Sequence, residues 1–218
     1  MNWLKLIRIE AKNFLKLSVF SLVLLFGLLV MLSKLAGGIS TISTDTSLLS
    51  FYFLLLVISS SYATVFLLLV NVDKEKINKV YHRYFVAPLK PHILFALKLL
   101  PLIFSSFLIT LACVLILHSK FSTIKFPLVI LSILDAFIFI VGVYLLFFAW
   151  ELIVKNVTLV FAVRFVLVYV FSYFPSFLLR NGVSANTLIY GLVIFSILVF
   201  IAGIYFISHI NTEKVVLS

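Results

Sequence analysis

The chain has little of what a water-soluble fold uses to cover itself. Charged residues fill 11% of its 218 positions and hydrophobic ones 64%, at a mean hydropathy of +1.30. Polar side chains therefore cannot cover the apolar surface in water, whatever the fold. Cysteine occurs once, as Cys113 inside an apolar run, which excludes a disulfide framework and leaves packing as its role. The seven glycines build no phosphate-cradling loop, and no G-x-x-x-x-G-K-[ST] segment occurs, so this chain has no such means of binding ATP. No H-E-x-x-H, no G-x-S-x-G and no paired acidic motif of an intramembrane protease or prenyl-processing enzyme is present, so an enzyme is not expected. His82, His92, His118 and His209 have no ligand spacing, so no metal site and no cofactor is expected in the chain. Acidic residues are scarce as well. Seven of them face seventeen lysines and arginines, for a net charge of +10. That balance suits an anionic membrane leaflet, and without a polar domain to carry an aromatic and basic surface it needs no nucleic acid.

What is present is hydrophobic length. A helix crosses the hydrocarbon core in about 20 apolar residues, and six such runs occur, at 18–36, 48–70, 97–117, 127–150, 157–178 and 187–208. Runs such as FLLLVISSSYATVFLLLV show no period-2 alternation, which argues against a β-barrel. The expected fold is an all-α polytopic membrane protein, with residues 1–218 as a single transmembrane domain of six helices.

Charge placement orients it. With the N-terminus inside, twelve lysines and arginines fall on the cytoplasmic side, against Lys34, Lys120, Lys125 and Arg180 outside. The positive-inside rule then puts both termini in the cytoplasm of a multi-pass protein of the cell membrane. Residues 1–17 place Lys5, Arg8, Lys12 and Lys16 on one helical stripe, roughly opposite Trp3, Leu4, Ile7, Ala11 and Phe14. This is the pattern of an amphipathic helix lying in the interface, and a basic anchor that only sets topology accounts for it equally. No A-x-A-like cleavage site and no lipobox cysteine follow, so the segment is expected to be retained. The N-V-T at 156–158 matches a glycosylation acceptor but falls on the inner side and is set aside.

The segment 71–96, NVDKEKINKVYHRYFVAPLKPHILFA, is the only cytoplasmic loop of any size. Ile77, Val80, Tyr81, Tyr84 and Phe85 recur at helical spacing, predicting a short amphipathic helix over 73–86 with Asp73 at its N-cap. Pro88 ends it. Pro91 then stands at a favourable first position of the helix that leads into the third span. The result is a basic, aromatic-faced knob, placed either to dock a partner or to lie on the lipid surface.

Ionisable residues within the spans are the sharpest functional candidates, since each costs about 2.5–3.5 kcal/mol or more at mid-depth unless paired. Asp135 and Arg164 are the two clear ones, about 12 and 20 Å below the outer boundary at 1.5 Å per residue. An ion pair between them is expected, and a charge facing a transport path is the second reading. Ser132, Asp135 and Gly142 share a face that should meet protein or cavity rather than lipid. Glu151, beside Lys155 at the inner boundary, reads as solvated. The serines and threonines of SSSYAT at 59–64 and of Ser105, Ser106 and Thr110 either line a cleft or satisfy helix carbonyls. Pro101 and Pro175 should kink their helices.

An N-terminal amphipathic helix, six spans with both ends inside, and a charged helix followed by A-P-L and a downstream lysine resemble the permease subunits of type-2 ABC exporters. Glu75, Pro88, Leu89 and Lys98 carry the sequence-specific part. Members often follow the glutamate and a basic residue with Gly-Thr, where this chain has Ile77 and Asn78. The resemblance implies that Glu75, Lys76, Lys79, Val80, Arg83, Tyr84, Phe85 and Pro88 form an ATPase-coupling surface. It implies separate ABC ATPase subunits that bind ATP and magnesium, and a second permease chain, identical or different. It also implies a short re-entrant element after the fifth span, for which YFPSFLLRNGVSANT is a shortened candidate. Small size, bare external loops and abundant phenylalanine point to hydrophobic or amphipathic cargo, as in the small Gram-positive peptide-export or bacteriocin-immunity permeases of the phenol-soluble modulin exporter kind. The runner-up is a non-transporting membrane adaptor or immunity protein whose basic knob recruits a cytoplasmic partner.

Overall fold

The computed structural model describes residues 45–77, 91–121, 123–154 and 156–209, together with Gly27, Val30, Lys34 and Gly38, which are helical. Among the described residues the chain is all helix. Five elements follow one another: α1 (Thr46–Ile77), α2 (Pro91–Lys120), α3 (Phe126–Ile153), α4 (Val157–Arg180) and α5 (Ala185–Ser208). Four of them contain segments long and apolar enough to cross a membrane, Thr46–Val70, Lys98–Lys120, Phe126–Glu151 and Ala185–Ser208. The chain is thus a membrane protein. In α4 the apolar stretch found among the described residues is Thr158–Leu167. The N-terminal helix expected over 1–17, most of the first run at 18–36 and residues 78–90 of the knob lie outside the described residues.

Local chemistry sets the helix ends. Asp45 opens α1 by accepting from the Ser47 amide at 2.9 Å and its hydroxyl at 2.8 Å. Pro91 stands first in α2, as expected, and Pro127 occupies the first turn of α3, where a missing N–H costs nothing. Asn156 caps α4 by accepting from Thr158 and Leu159, so the asparagine of N-V-T has a structural role. The Ser184 hydroxyl caps α5 by accepting from the Thr187 amide. Pro101 and Pro175 lie inside helices that continue past them.

Two expectations are corrected. Asp73 is not an N-cap, because α1 runs unbroken from its apolar span to Ile77. No re-entrant element follows α4 either. The helix reaches Arg180 and stops at Gly182, whose φ of +88° only glycine adopts freely. The Val183 amide bonds Leu178 O at 3.2 Å and the Gly182 amide bonds Leu179 O at 3.1 Å, the paired reversal of a Schellman motif. The chain then enters α5 directly.

Inside, α1 is the hub and contacts each of the other four helices. Phe51, Leu54, Ile58, Tyr62, Val65 and Leu68 of α1 pack with Leu99 and Leu102 of α2, and with Phe139, Tyr144, Phe147 and Phe148 of α3. A second cluster joins Phe53 and Val57 of α1, Val114 and Leu117 of α2 and Val129 and Ala136 of α3, near the α2–α3 connection. The α3 and α5 helices pack most extensively of all. In lipid there is little hydrophobic force between helices, so such contacts depend on close packing. Gly142 and Gly203 provide it: a Cβ on Gly142 would stand 2.7 Å from the Phe200 backbone, and one on Gly203 2.7 Å from Gly142 O. The stripe Ser132, Asp135, Gly142 therefore does meet protein. By contrast α4 leans on α1 and barely touches α3 or α5. Its outer face and that of α5 expose Phe161, Phe165, Phe174, Ile194, Leu198 and Ile201, surface suited to hydrocarbon.

Candidate functional site: a buried charge centre in an apolar bundle

Arg164 lies on the second turn of α4 and is fully buried, as no arginine is without a compensating anion. Its guanidinium pairs with the Glu151 carboxylate, which is 3% exposed, at the end of α3. The Phe147 ring, one turn before Glu151, lies 5.3 Å from the guanidinium carbon, a cation–π contact strengthened by desolvation. From α1 the Tyr62 hydroxyl donates to the Arg164 carbonyl at 3.0 Å. Tyr144 of α3 is fully buried, and its hydroxyl lies 2.6 Å from that of Ser106 on α2. Four helices thus meet around one charge pair.

This overturns the pairing expected from sequence. Arg164 is joined to Glu151, not to Asp135, and Glu151 is buried rather than solvated. Asp135 is also buried, but higher on α3 and facing α5. Taking two ions from water costs several kcal/mol each, and mutual attraction offsets this only with good geometry. The chemical yield is therefore mechanical. The pair ties α4, which has little other hold on α3, to the body of the bundle.

The serines and threonines divide. Ser60 and Ser61 each donate to Val57 O, Thr64 to Ser61 O and Ser105 to Pro101 O, which is carbonyl satisfaction along their own helices. Ser106 reaches the Tyr144 hydroxyl on another helix, and Ser60 of α1 also lies against Cys113 of α2. Lys98, singled out in the sequence by its place after the knob, is 7% exposed. Glu75 and Lys76 fall on the last turns of α1, whereas Lys79, Val80, Arg83, Tyr84, Phe85 and Pro88 lie outside the described residues.

Two openings lie toward the other end of the bundle. At the N-terminal ends of α1, α3 and α5 a cleft of about 650 Å³ is edged by Ser47, Ser50, Thr123, Lys125, Asn186 and Tyr190, with Leu131 on its α3 side. Between α4 and α5 runs an apolar groove of about 360 Å³, lined by Phe174, Pro175, Leu188, Gly191 and Phe195 among others. Comparison of the chain with family models, with curated proteins and with solved structures gives no match in any of the three.

Proposed function

We propose that the chain is the membrane-spanning permease subunit of an ATP-driven exporter, moving hydrophobic or amphipathic cargo such as a peptide, toxin or lipid-like molecule out of the cell. In this reading it is a multi-pass protein with both termini in the cytoplasm, working with separate ABC ATPase subunits and a second permease chain. The observation that carries the reading is where α1 and α2 meet the segment 78–90. The apolar run of α1 gives way to Asp73, Lys74, Glu75 and Lys76 while the helix continues to Ile77, and α2 starts at Pro91. At about 1.5 Å per residue, the charged end of α1 extends about 8 Å past Val72. The basic and aromatic segment 78–90 joins these two helix ends. A push there passes along α1, which touches each of α2 to α5. That is the mechanical connection an external ATPase needs in order to move a bundle that has no nucleotide site of its own.

The test is to purify the detergent-solubilised chain from its native cells and measure ATP turnover of the material that accompanies it, for wild type and for Tyr84→Ala with Phe85→Ala. The expected result is an accompanying ATPase that dissociates or uncouples in the double variant, while helix content and unfolding temperature stay unchanged. If no ATPase accompanies the chain and ATP turnover never depends on it, the exporter reading fails and the adaptor takes its place.

A further inference from the structure

Asp135 is 3% exposed, and neither of its carboxylate oxygens has a hydrogen-bond partner among the described residues. Two hydroxyls share its surroundings. Ser132 stands one turn earlier on the same face of α3, and Ser196 faces the carboxyl from α5; both serines are fully buried. Ser132 Oγ donates to Val129 O at 2.7 Å. Ser196 Oγ lies 3.1 Å from Leu192 O and also against the Asp135 carboxyl, so its single proton serves one acceptor at a time. The cluster is rich in oxygen, two carboxylate and two hydroxyl atoms, and neither serine brings positive charge.

Such a cluster in an apolar bundle calls for positive charge, because a buried carboxylate without a partner is among the costliest arrangements a protein can hold. The cations of the neighbouring helices do not supply it. Arg164 of α4 is paired with Glu151. Lys98 of α2 lies near the opposite end of the bundle, where Glu151 also sits. His118 and Lys120 of α2 and Lys125 lie at the α2–α3 connection, and His209 follows the far end of α5. Access is short, since Leu131 borders the cleft between α1, α3 and α5 and Asp135 is one turn, about 6 Å, further along α3. A single carboxylate matches one unit of charge, whereas calcium or magnesium asks for six or more oxygens with several carboxylates or waters among them. We infer that Asp135, Ser132 and Ser196 form an oxygen-lined site for one small monovalent cation, a sodium ion or a proton, entered from that cleft.

The full chain in detergent tests this with two readings made on wild type and Asp135→Asn. The first is the unfolding temperature in sodium chloride against choline chloride at equal ionic strength. The second is the infrared carboxyl stretch at neutral pH. A sodium site raises the wild-type midpoint by several degrees in sodium chloride, and Asp135→Asn does not respond. A proton site is indifferent to sodium and shows a protonated-carboxyl band that Asp135→Asn lacks. The absence of both the sodium response and the band overturns the inference, because Asp135 is then ionised and held by something other than a bound cation. Should Asp135→Asn not fold, Ser196→Ala is expected to keep the fold, and to weaken the sodium response or shift the carboxyl band. The site does not depend on the exporter reading, and neither measurement involves an ATPase.

Discussion

Replacing Gly142 by alanine tests how closely α3 and α5 are packed. The added Cβ would lie 2.7 Å from Phe200 Cα and N and 2.9 Å from Val199 C. These are backbone atoms, which no rotamer change moves aside. Restoring ordinary contact at about 3.5 Å requires the helices to part by most of an ångström along their closest line, and dispersion falls steeply over such a gap. Overpacking of this kind costs about 1–3 kcal/mol, which for a chain of this length corresponds to a fall of about 2–12 °C in unfolding temperature. Gly203→Ala strikes the same contact from the other side, with 2.7 Å to Gly142 O and 2.9 Å to Leu145 Cβ. Because one separation relieves both clashes, the double variant should lose clearly less than the sum of the single losses. Gly191 is the control. A Cβ there meets nothing within 4 Å, so Gly191→Ala should be neutral or slightly stabilising through helix propensity. Thermal unfolding in detergent, followed by circular dichroism, reads all four. The reasoning is refuted if Gly142→Ala unfolds at the wild-type temperature, or if the two glycine changes add in full.

Removing one side of the buried pair should be worse than removing both: Arg164→Met strands Glu151 and is expected to cost about 3–5 kcal/mol, most of it recovered when Glu151→Gln is added. Equal losses for the single and double variants in the same unfolding assay would show that the charges do not act as a pair. Gly182→Ala forces alanine to φ near +88° and should cost about 1–2 kcal/mol, with Gly182→Asn milder because asparagine tolerates that region. At the start of α1, the Ser47 amide and hydroxyl hold the Asp45 carboxyl below the usual carboxylate range. A depressed folded-state value means that this cap contributes fully above the ordinary aspartate pKa and is lost as the pH falls below about 4. Amide exchange at Ser47 should accelerate, relative to Asp45→Asn, only in that acid range.

Much of the helical framework was legible because hydrophobic length and capping chemistry are local. Spans expected at 97–117, 127–150, 157–178 and 187–208 lie inside α2 to α5, and Pro91 starts its helix where a missing N–H is harmless. The departures are equally local. The expected break before Asp73 rested on a change of polarity from apolar to charged, yet Lys and Glu prolong a helix as readily as leucine does, so α1 runs on to Ile77. The turn after α4 was also written in the sequence, in the Asn181-Gly182 pair. Gly142 stood out by sharing a face with Ser132 and Asp135, whereas Gly203 could be recognised only once α5 was seen to lie against α3, because the contact spans two helices distant in sequence.

The charge centre shows why counting can mislead and how to count better. Measured down from the outer boundaries, Asp135 and Arg164 fall at about 12 and 20 Å, close enough for a long arginine. That estimate adds the uncertainty of two separate helix lengths. The α3–α4 connection provides a better origin, because α3 ends at Ile153 and α4 begins at Val157, so the two ends lie at nearly one level. From there Glu151 is about 3 Å and Arg164 about 10 Å along, while Asp135 is about 27 Å away. A gap of about 7 Å is within the combined reach of glutamate and arginine side chains, whereas one of about 17 Å is not. The partner of a buried charge is therefore best sought from the nearest tight connection. A carboxylate that this ruler leaves unmatched among the described helices, as it leaves Asp135, is the one for which a bound cation is inferred.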